Sequence, residues 1–366
     1  MRIVVLGGYG NFGARICRAL VSYSGIEVIA TGRNPDRGIQ NALLDSRIHG
    51  AQLNLASRDL STVLTNLSPN IVIHCAGPFQ GQDYRVALAA ISAGAHYIDL
   101  ADSREFVARF AEHIDSEARA AKLLAVSGAS SLPALSSAVI DSLVGRFRKL
   151  EEVRIAIAPA QRATRGEATI ASVFSYAGKP FKWLSHGSWS YAWGWQELCQ
   201  MRFAGLGVRW AAACDVPDLE LFPKRYPGIQ TVEFRAALEL GIQHFVLWLA
   251  AMLRRVGIPL PIERWSIPLD WLASRLDHFG SERGGMLVSL VGTKADGNKA
   301  RVEWHLTADA NHGPEIPCMA AILLAQKLAR GEISTYGAFP CVGFLNLADF
   351  ETEFARWRIT TVVEES

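Results

Sequence analysis

The chain has 366 residues, half of them apolar, with 37 basic against 35 acidic side chains and a net charge of +2. That length exceeds one ordinary domain and supports a sizeable core. The charge balance, with no basic stripe interleaved with aromatics, argues against nucleic acid or any other acidic polymer as a partner. The first element is an apolar run, Arg2-Ile-Val-Val-Leu6, which reads as a strand and breaks at once into Gly7-Gly8-Tyr9-Gly10-Asn11-Phe12-Gly13. An amphipathic helical pattern from Ala14 to Val21 follows. A strand, a glycine turn and a helix N-terminus in succession bring backbone N–H groups and the positive end of a helix dipole to one place, where a pyrophosphate can sit. Two glycine registers fit, Gly8-x-Gly10-x-x-Gly13 and Gly7-x-x-Gly10-x-x-Gly13.

The second strand, from Glu27, ends in Gly32-Arg33-Asn34, with Arg33 20 residues beyond Gly13. An acid there would accept a hydrogen bond from a ribose 2′-hydroxyl, whereas an arginine offers a fork of donors to a 2′-phosphate. The expected cofactor is therefore NADP, held by residues 7–13 with Arg33 and Asn34; Arg37 is a second cation that could share the phosphate.

Alternating elements continue to about residue 130. Strands are expected at Ala51–Leu55, Asn70–Cys75, His96–Leu100 and Leu123–Val126, and helices at Leu60–Leu67, Asp83–Ala93 and Glu105–Ala121. This order predicts a doubly wound parallel sheet, whose ligands bind beyond the carboxyl ends of the strands. The loop after the fourth strand, Cys75-Ala76-Gly77-Pro78-Phe79, is small and proline-stiffened, suited to lie against the nicotinamide half of a dinucleotide. The next loop carries Asp102, a candidate proton-transfer residue whose alternative role is to cap the following helix. Asp99, inside the strand pattern, reads as structural.

Taken in order, Gly7–Gly13, Gly32-Arg33, Cys75–Phe79, Gly94-Ala-His-Tyr-Ile-Asp99 and Gly128-Ala-Ser-Ser-Leu-Pro133 resemble the saccharopine dehydrogenase-like NADP-binding family over the first 135 residues or so. The resemblance implies a Rossmann domain over 1–133, an inserted mixed α/β substrate or dimerisation domain over 134–312, and a segment over 313–366 that returns to the first domain. It also implies NADP-linked hydride transfer, at a carbon–nitrogen bond in saccharopine reductases.

Beyond a helix at Ala134–Phe147 the pattern turns to hairpins and a mostly antiparallel α+β domain. Glu152–Ala158, Arg209–Cys214, Thr231–Leu240, Met286–Val291 and Ala300–Leu306 read as strands, the last two joined at Asp296-Gly297 by a two-residue turn. Trp183, Trp189, Trp193, Trp195, Trp210, Trp248, Trp265 and Trp271 crowd this half. Trp189, Tyr191, Trp193 and Trp195 alternate, so one strand face would carry them into a core or dimer interface, or into an apolar substrate pocket. Glu239–Leu253 is strongly apolar but shorter than the ~20 residues of a bilayer span, and Arg254-Arg255 follow it. It reads as a buried helix, with a membrane-surface helix or a homodimer contact as the alternative.

Two loops of this half are candidate substrate contacts: Arg162–Thr169, with Arg165, and Asn311–Pro317, with His312. His312 is the second candidate proton-transfer residue, because it lies in a polar loop and imidazole exchanges a proton near neutral pH. Six cysteines, Cys17, Cys75, Cys199, Cys214, Cys318 and Cys341, have no Cys-x-x-Cys spacing and sit mostly in apolar runs. They read as reduced core residues of a cytoplasmic protein, and no metal site is expected. No secretory signal precedes the first strand.

These features predict an NADP-dependent oxidoreductase that moves hydride to or from a carbonyl or imine carbon of a small molecule, in a cleft between the two domains. Two other classes fit: an NADP-binding sensor without turnover, since no Tyr-x-x-x-Lys pair follows the fourth strand, and a membrane-surface reductase acting on an apolar substrate.

Overall fold

The computed structural model describes residues 1–34, 45, 47–164, 166–258, 260 and 274–366, the side chains of 167–169 excepted. Arg37, Arg165, Trp265 and Trp271 lie outside the described residues. The chain forms two compact units, one of Met1–Leu135 and Glu315–Leu345, the other of Ser136–Pro314 and Asn346–Ser366.

In the first unit, β1 (Arg2–Leu6), β2 (Glu27–Gly32), β3 (Ile48–Gln52), β4 (Ile71–His74), β5 (His96–Asp99) and β6 (Leu124–Ser127) are joined by α1 (Asn11–Val21), α2 (Leu60–Leu67), α3 (Arg85–Ser92) and α4 (Arg104–Ala120). The strands pair in the order β6-β5-β4-β1-β2-β3, all parallel. Parallel strands covered on both faces need unbroken apolar runs. Accordingly Ile3, Val4, Val5 and Leu6 are all fully buried. Helix α1 buries Gly13, Ala14, Ile16, Cys17, Leu20 and Val21, the 3–4 spacing of one helical face. Strand β3 begins three residues before the expected Ala51. Leu53 is buried just past the strand end, with its N–H donating to Gly32 O at 3.0 Å.

The second unit opens with α5 (Ser136–Leu143) and continues through β7 (Lys149–Ala158), α6 (Glu167–Tyr176), β8 (Pro180–Ser185), β9 (Ser188–Trp193), β10 (Cys199–Phe203), β11 (Gly207–Ala213), α7 (Asp218–Arg225), β12 (Thr231–Ala236), α8 (Gly241–Arg255), β13 (Gly284–Thr293) and β14 (Lys299–Ala308). The chain then leaves for the first unit, where α9 (Ile316–Ala329) packs beside α1 and β15 (Gly337–Pro340) adds a parallel seventh strand to β6. It returns with α10 (Leu347–Phe354) and β16 (Ile359–Glu365), which pairs antiparallel with β14. The segment expected to belong whole to the first unit therefore divides after Leu345. Apolar Ile359, buried on β16, and the ladder to β14 place the chain end in the second sheet.

That second sheet runs β10-β11-β12-β7-β13-β14-β16, with β8 and β9 attached through β12. It is mixed, because β7 and β12 are parallel while the other pairs are antiparallel. Strand β10 supplies Phe203 to a small core with Ala156, Ala158, Ala211, Ala237 and Leu287.

Three expectations change here. The β13–β14 hairpin closes through Ala295, Asp296 and Gly297 rather than through two residues: Lys294 N donates to Asn298 O, Gly297 N to Lys294 O, and Gly297 takes φ +88°. This is the three-residue loop with a left-handed glycine. The alternating aromatics do not fill a core. Trp189 and Tyr191 are 48% and 65% exposed, while Trp195, past the strand end at φ +59°, turns inward and is buried. Helix α8 buries only His244 and Ala251, and exposes Ile242, Phe245, Val246 and Leu249 as a stripe. No helix among the described residues is long and apolar enough to cross a membrane.

Candidate cofactor and active site

The glycine turn sits at the carboxyl end of β1, between β4 and β2. Gly7 takes φ +75°, a conformation that disfavours a side chain, and its N–H and that of Gly8 both donate to Thr31 O, at 3.1 and 3.0 Å. A methyl on Gly13 would overlap the Gly7 carbonyl oxygen, so helix and turn approach each other closely only with glycine there. Both glycine registers are thus in use, Gly7 for the turn and Gly8 for packing, its Cβ position being 2.8 Å from that of Ala30. Helix α1 starts at Asn11 with Gly10 as its N-cap, no side-chain cap and no acid in its first turn. First-turn amides have no intrahelical acceptor and carry the positive end of the dipole, so this terminus suits a phosphate.

Tyr9 reaches sideways to β2. Its hydroxyl donates to Ala30 O at 2.9 Å, and its ring lies where a Cβ on Gly32 would be, 2.6 Å from Tyr9 Cδ2. Arg33 and Asn34 follow immediately, both exposed. Gln52 on β3 donates to Arg33 O at 3.1 Å, which fixes the backbone there, and among the described residues no carboxylate engages the Arg33 guanidinium. A fork of donors that no described carboxylate engages, at the strand end beyond a glycine turn, suits an anionic group.

The Cys75–Phe79 loop abuts the turn: a Cβ on Gly7 would lie 3.1 Å from Ala76. Gln82 Nε2 donates to Ala76 O at 3.0 Å and to Pro78 O at 2.7 Å, so one amide side chain holds the loop in shape. Phe79 is buried, edge-on to His74 at 4.9 Å between ring centroids and tilted on Phe106 at 5.5 Å. Burial drives the Cys75 thiol far above its usual pKa, so it stays protonated. Cys75 and Cys199 are half-buried and the other four cysteines are buried; none of the six forms a disulfide.

Asp102 is half-buried in the loop after β5 and accepts from Gln80 Nε2 at 3.2 Å. The N-cap position of α4 is taken by the next residue, Ser103. The structure therefore gathers residues 7–13, Arg33, Asn34, 75–79 and Asp102 along the carboxyl edge of one sheet. Behind α1, Arg15 pairs with Glu315 at 2.9 Å and Cys318 Sγ lies 3.6 Å from Phe12 O, so the returning α9 braces the same turn.

His312 belongs to the second unit, after β14. Its ring is edge-on to Trp357 at 5.1 Å, and Nδ1 accepts from Arg358 N at 3.3 Å. That bond puts the neutral ring's proton on Nε2. In the second sheet Glu303, His305 and Glu364 are close enough to hold a metal. Here too His305 Nδ1 accepts a backbone N–H, from Ala204 at 3.2 Å, so Nε2 carries the proton and faces Glu303 at 3.7 Å. Arg202 pairs with Glu364 and Ser289 donates to Glu303, so these side chains also bond to other residues of the sheet.

Sequence reasoning missed Thr31, Gln52 and Gln82, which shape the backbone of this region through hydrogen bonds, and Gln80, which bonds the Asp102 carboxylate. The only signal was a pair of glutamines directly after the Phe79 loop.

Residues 3–132 match the family described as the saccharopine dehydrogenase NADP binding domain. No curated protein matches the sequence. Among solved structures, the chain is similar to apo saccharopine dehydrogenase (L-Glu forming) from Saccharomyces cerevisiae, with TM-score 0.68 and 12% identity over 100% of this chain and 99% of that one. It is also similar to homospermidine synthase from Legionella pneumophila in complex with NAD, with TM-score 0.59 and 11% identity over 100% and 91%. A third likeness is to amine dehydrogenase from Mycobacterium smegmatis, with TM-score 0.50 and 13% identity over 93% and 94%. At these identities the likenesses speak for the fold. The family match covers the strands and glycine turn of the first unit, and over its whole length the chain shares the fold of saccharopine dehydrogenase.

Proposed function

We propose that the protein is an NADP-dependent oxidoreductase acting on a carbonyl or imine carbon of a small molecule. The observation that carries this is Arg33, exposed at the end of β2 with no carboxylate on its guanidinium among the described residues, next to a glycine turn and an uncapped helix N-terminus. In this reading Gly7–Gly13 hold the pyrophosphate, Arg33 and Asn34 the 2′-phosphate, and Cys75–Phe79 the nicotinamide half. The bound dinucleotide supplies the hydride. Asp102 exchanges the matching proton with the substrate heteroatom: C=O or C=N gains hydride at carbon and a proton at oxygen or nitrogen, and the reverse holds for oxidation. Gln80 orients that carboxylate.

The test is calorimetric titration with NADPH and NADH on wild type and Arg33→Ala, followed by a turnover screen with ketones and imines. Tight NADPH binding that the substitution weakens by about 1 to 3 kcal/mol, with NADH unaffected, supports the reading. Failure of both nucleotides to bind sinks it, and binding without turnover of any carbonyl or imine removes its catalytic half.

A further inference from the structure

Beneath the loops of the proposed site lies a buried polar group that the chemistry above does not use. Asp99, the last residue of β5, is completely buried. One oxygen, Oδ1, accepts three hydrogen bonds: from Ala101 N at 2.9 Å, Gly128 N at 2.8 Å and Ser127 Oγ at 3.0 Å. Its backbone carbonyl takes a further one from Ala129 N at 2.7 Å. Ala101 opens the loop that bears Asp102, and Gly128 and Ala129 begin the loop after β6. Gly128 has φ +79°, and its Cβ position lies 2.8 Å from Pro133 and 3.3 Å from Val107, so the loop is tightly packed there. A single carboxylate thus ties together two of the loops that rim the carboxyl edge of the sheet.

The surroundings isolate its charge. Tyr97 leans on it from the same strand, with its hydroxyl 3.0 Å from His74 Nδ1 on β4. Cys75 after β4, Cys341 after β15 and Tyr84 before α3 are the other titratable groups that feel it. Burial pushes both thiols and both phenols upward, and holds His74 down at about 4. Among these groups only Asp99 changes charge between pH 5 and 8: burial lifts it to about 6 against the pull of its three donors and Tyr97.

We propose that ionised Asp99 is a positioning residue of the cofactor site, holding the Ala101–Asp102 and Gly128–Ala129 loops in their binding conformation and releasing them when it is protonated. Hydrogen bonds to an ionised acceptor are about twice as strong as neutral ones, so protonation weakens all three side-chain ties together. The consequence for NADPH affinity rests on the function proposed above; the consequence for the loops does not.

Two readouts on wild type and Asp99→Asn separate these. In the first, amide hydrogen exchange of the cofactor-free protein, corrected for chemical exchange, is followed from pH 5 to 8 at Ala101, Gly128 and Ala129. Wild-type protection should fall as pH drops through about 6, while Asp99→Asn, which keeps a neutral acceptor, should show the lower protection throughout. In the second, NADPH affinity should fall by about tenfold more between pH 7.5 and 5 in wild type than in Asp99→Asn, the factor carried by one unit of differential proton affinity. Protonation of the cofactor's own 2′-phosphate affects both proteins equally and drops out of the difference. Ser127→Ala, which retains the carboxylate and removes one donor, should move the exchange midpoint to higher pH. Protection in Asp99→Asn that tracks wild type, or a midpoint that Ser127→Ala leaves in place, overturns the proposal. Loss of NADPH binding at every pH in wild type defeats the cofactor reading alone, and the exchange arm still decides the role of Asp99.

Discussion

The hydroxyl of Tyr9 donates to the carbonyl oxygen of Ala30 at 2.9 Å, which lays its ring across Gly32 and fastens the glycine turn to the end of β2. Two sequence motifs 20 residues apart, the turn ending at Gly13 and the Arg33 strand end, are thereby one construction. Gly32→Ala would put a methyl 2.6 Å from the ring. It is expected to cost about 1–3 kcal/mol of stability, as overpacking does. In a Tyr9→Ala background most of that cost should vanish, and urea unfolding of the four proteins in the double-mutant cycle measures the coupling. Additive effects would mean that the ring yields freely.

How much of this was legible in the sequence depends on range. Strands with unbroken apolar runs and helices with a 3–4 stripe, such as Ile3–Leu6 and α1, are local patterns, and they appear where periodicity puts them. The same is true of the turn itself, because φ +75° at Gly7 is a demand on one residue type. The supports are different. Gln82 on Ala76 O and Gln52 on Arg33 O are side chain-to-backbone bonds, in the second case across 19 residues, and glutamine carries no positional signature for such work. Helix α8 misled for a related reason: composition reports how apolar a helix is, not which of its faces finds a partner; Ile242, Val246 and Leu249 stay exposed, and Phe245, itself 40% exposed, meets the ring of Trp210.

The exposed stripe makes a direct prediction. Ile242→Gln and Leu249→Gln should each change the unfolding free energy by no more than about 0.5 kcal/mol, the range of surface substitutions. Ala251→Leu, on the buried face against Gly178, should cost about 1–3 kcal/mol. Thermal melts of the three variants compare the faces; a large loss at Ile242 or Leu249 would show that the stripe is covered.

For Asp102, replacement by Asn keeps the Gln80 contact in shape but removes the exchangeable proton. Once a substrate is in hand, kcat should fall by about 10²–10⁴-fold with NADPH affinity unchanged. Gln80→Ala should give a smaller loss in kcat, and steady-state kinetics distinguish the two. His312→Gln is expected to leave kcat within a few-fold, since the ring's Nδ1 is engaged by Arg358 N.

Asp218 gives a pH dependence whose sign can be worked out. The residue is fully buried in the first turn of α7, where Ser136 Oγ donates to it at 2.5 Å, and burial lifts its pKa from 3.8 to about 7. The folded state therefore holds the proton more tightly than the unfolded chain does. Its stabilising contribution is complete below pH 3.8, the unfolded value, and is lost as pH rises through about 7. Over that window the loss amounts to at most about 4 kcal/mol, at 1.36 kcal/mol per unit. Asp218→Asn keeps an acceptor for Ser136 and never ionises, so it should melt at higher temperature than wild type at pH 8, with the gap closing as pH falls toward 4. Melting curves at four pH values test this. A variant less stable than wild type at pH 8 would mean that an undescribed donor satisfies the ionised carboxylate, and that charge at this position supports the second unit instead of straining it.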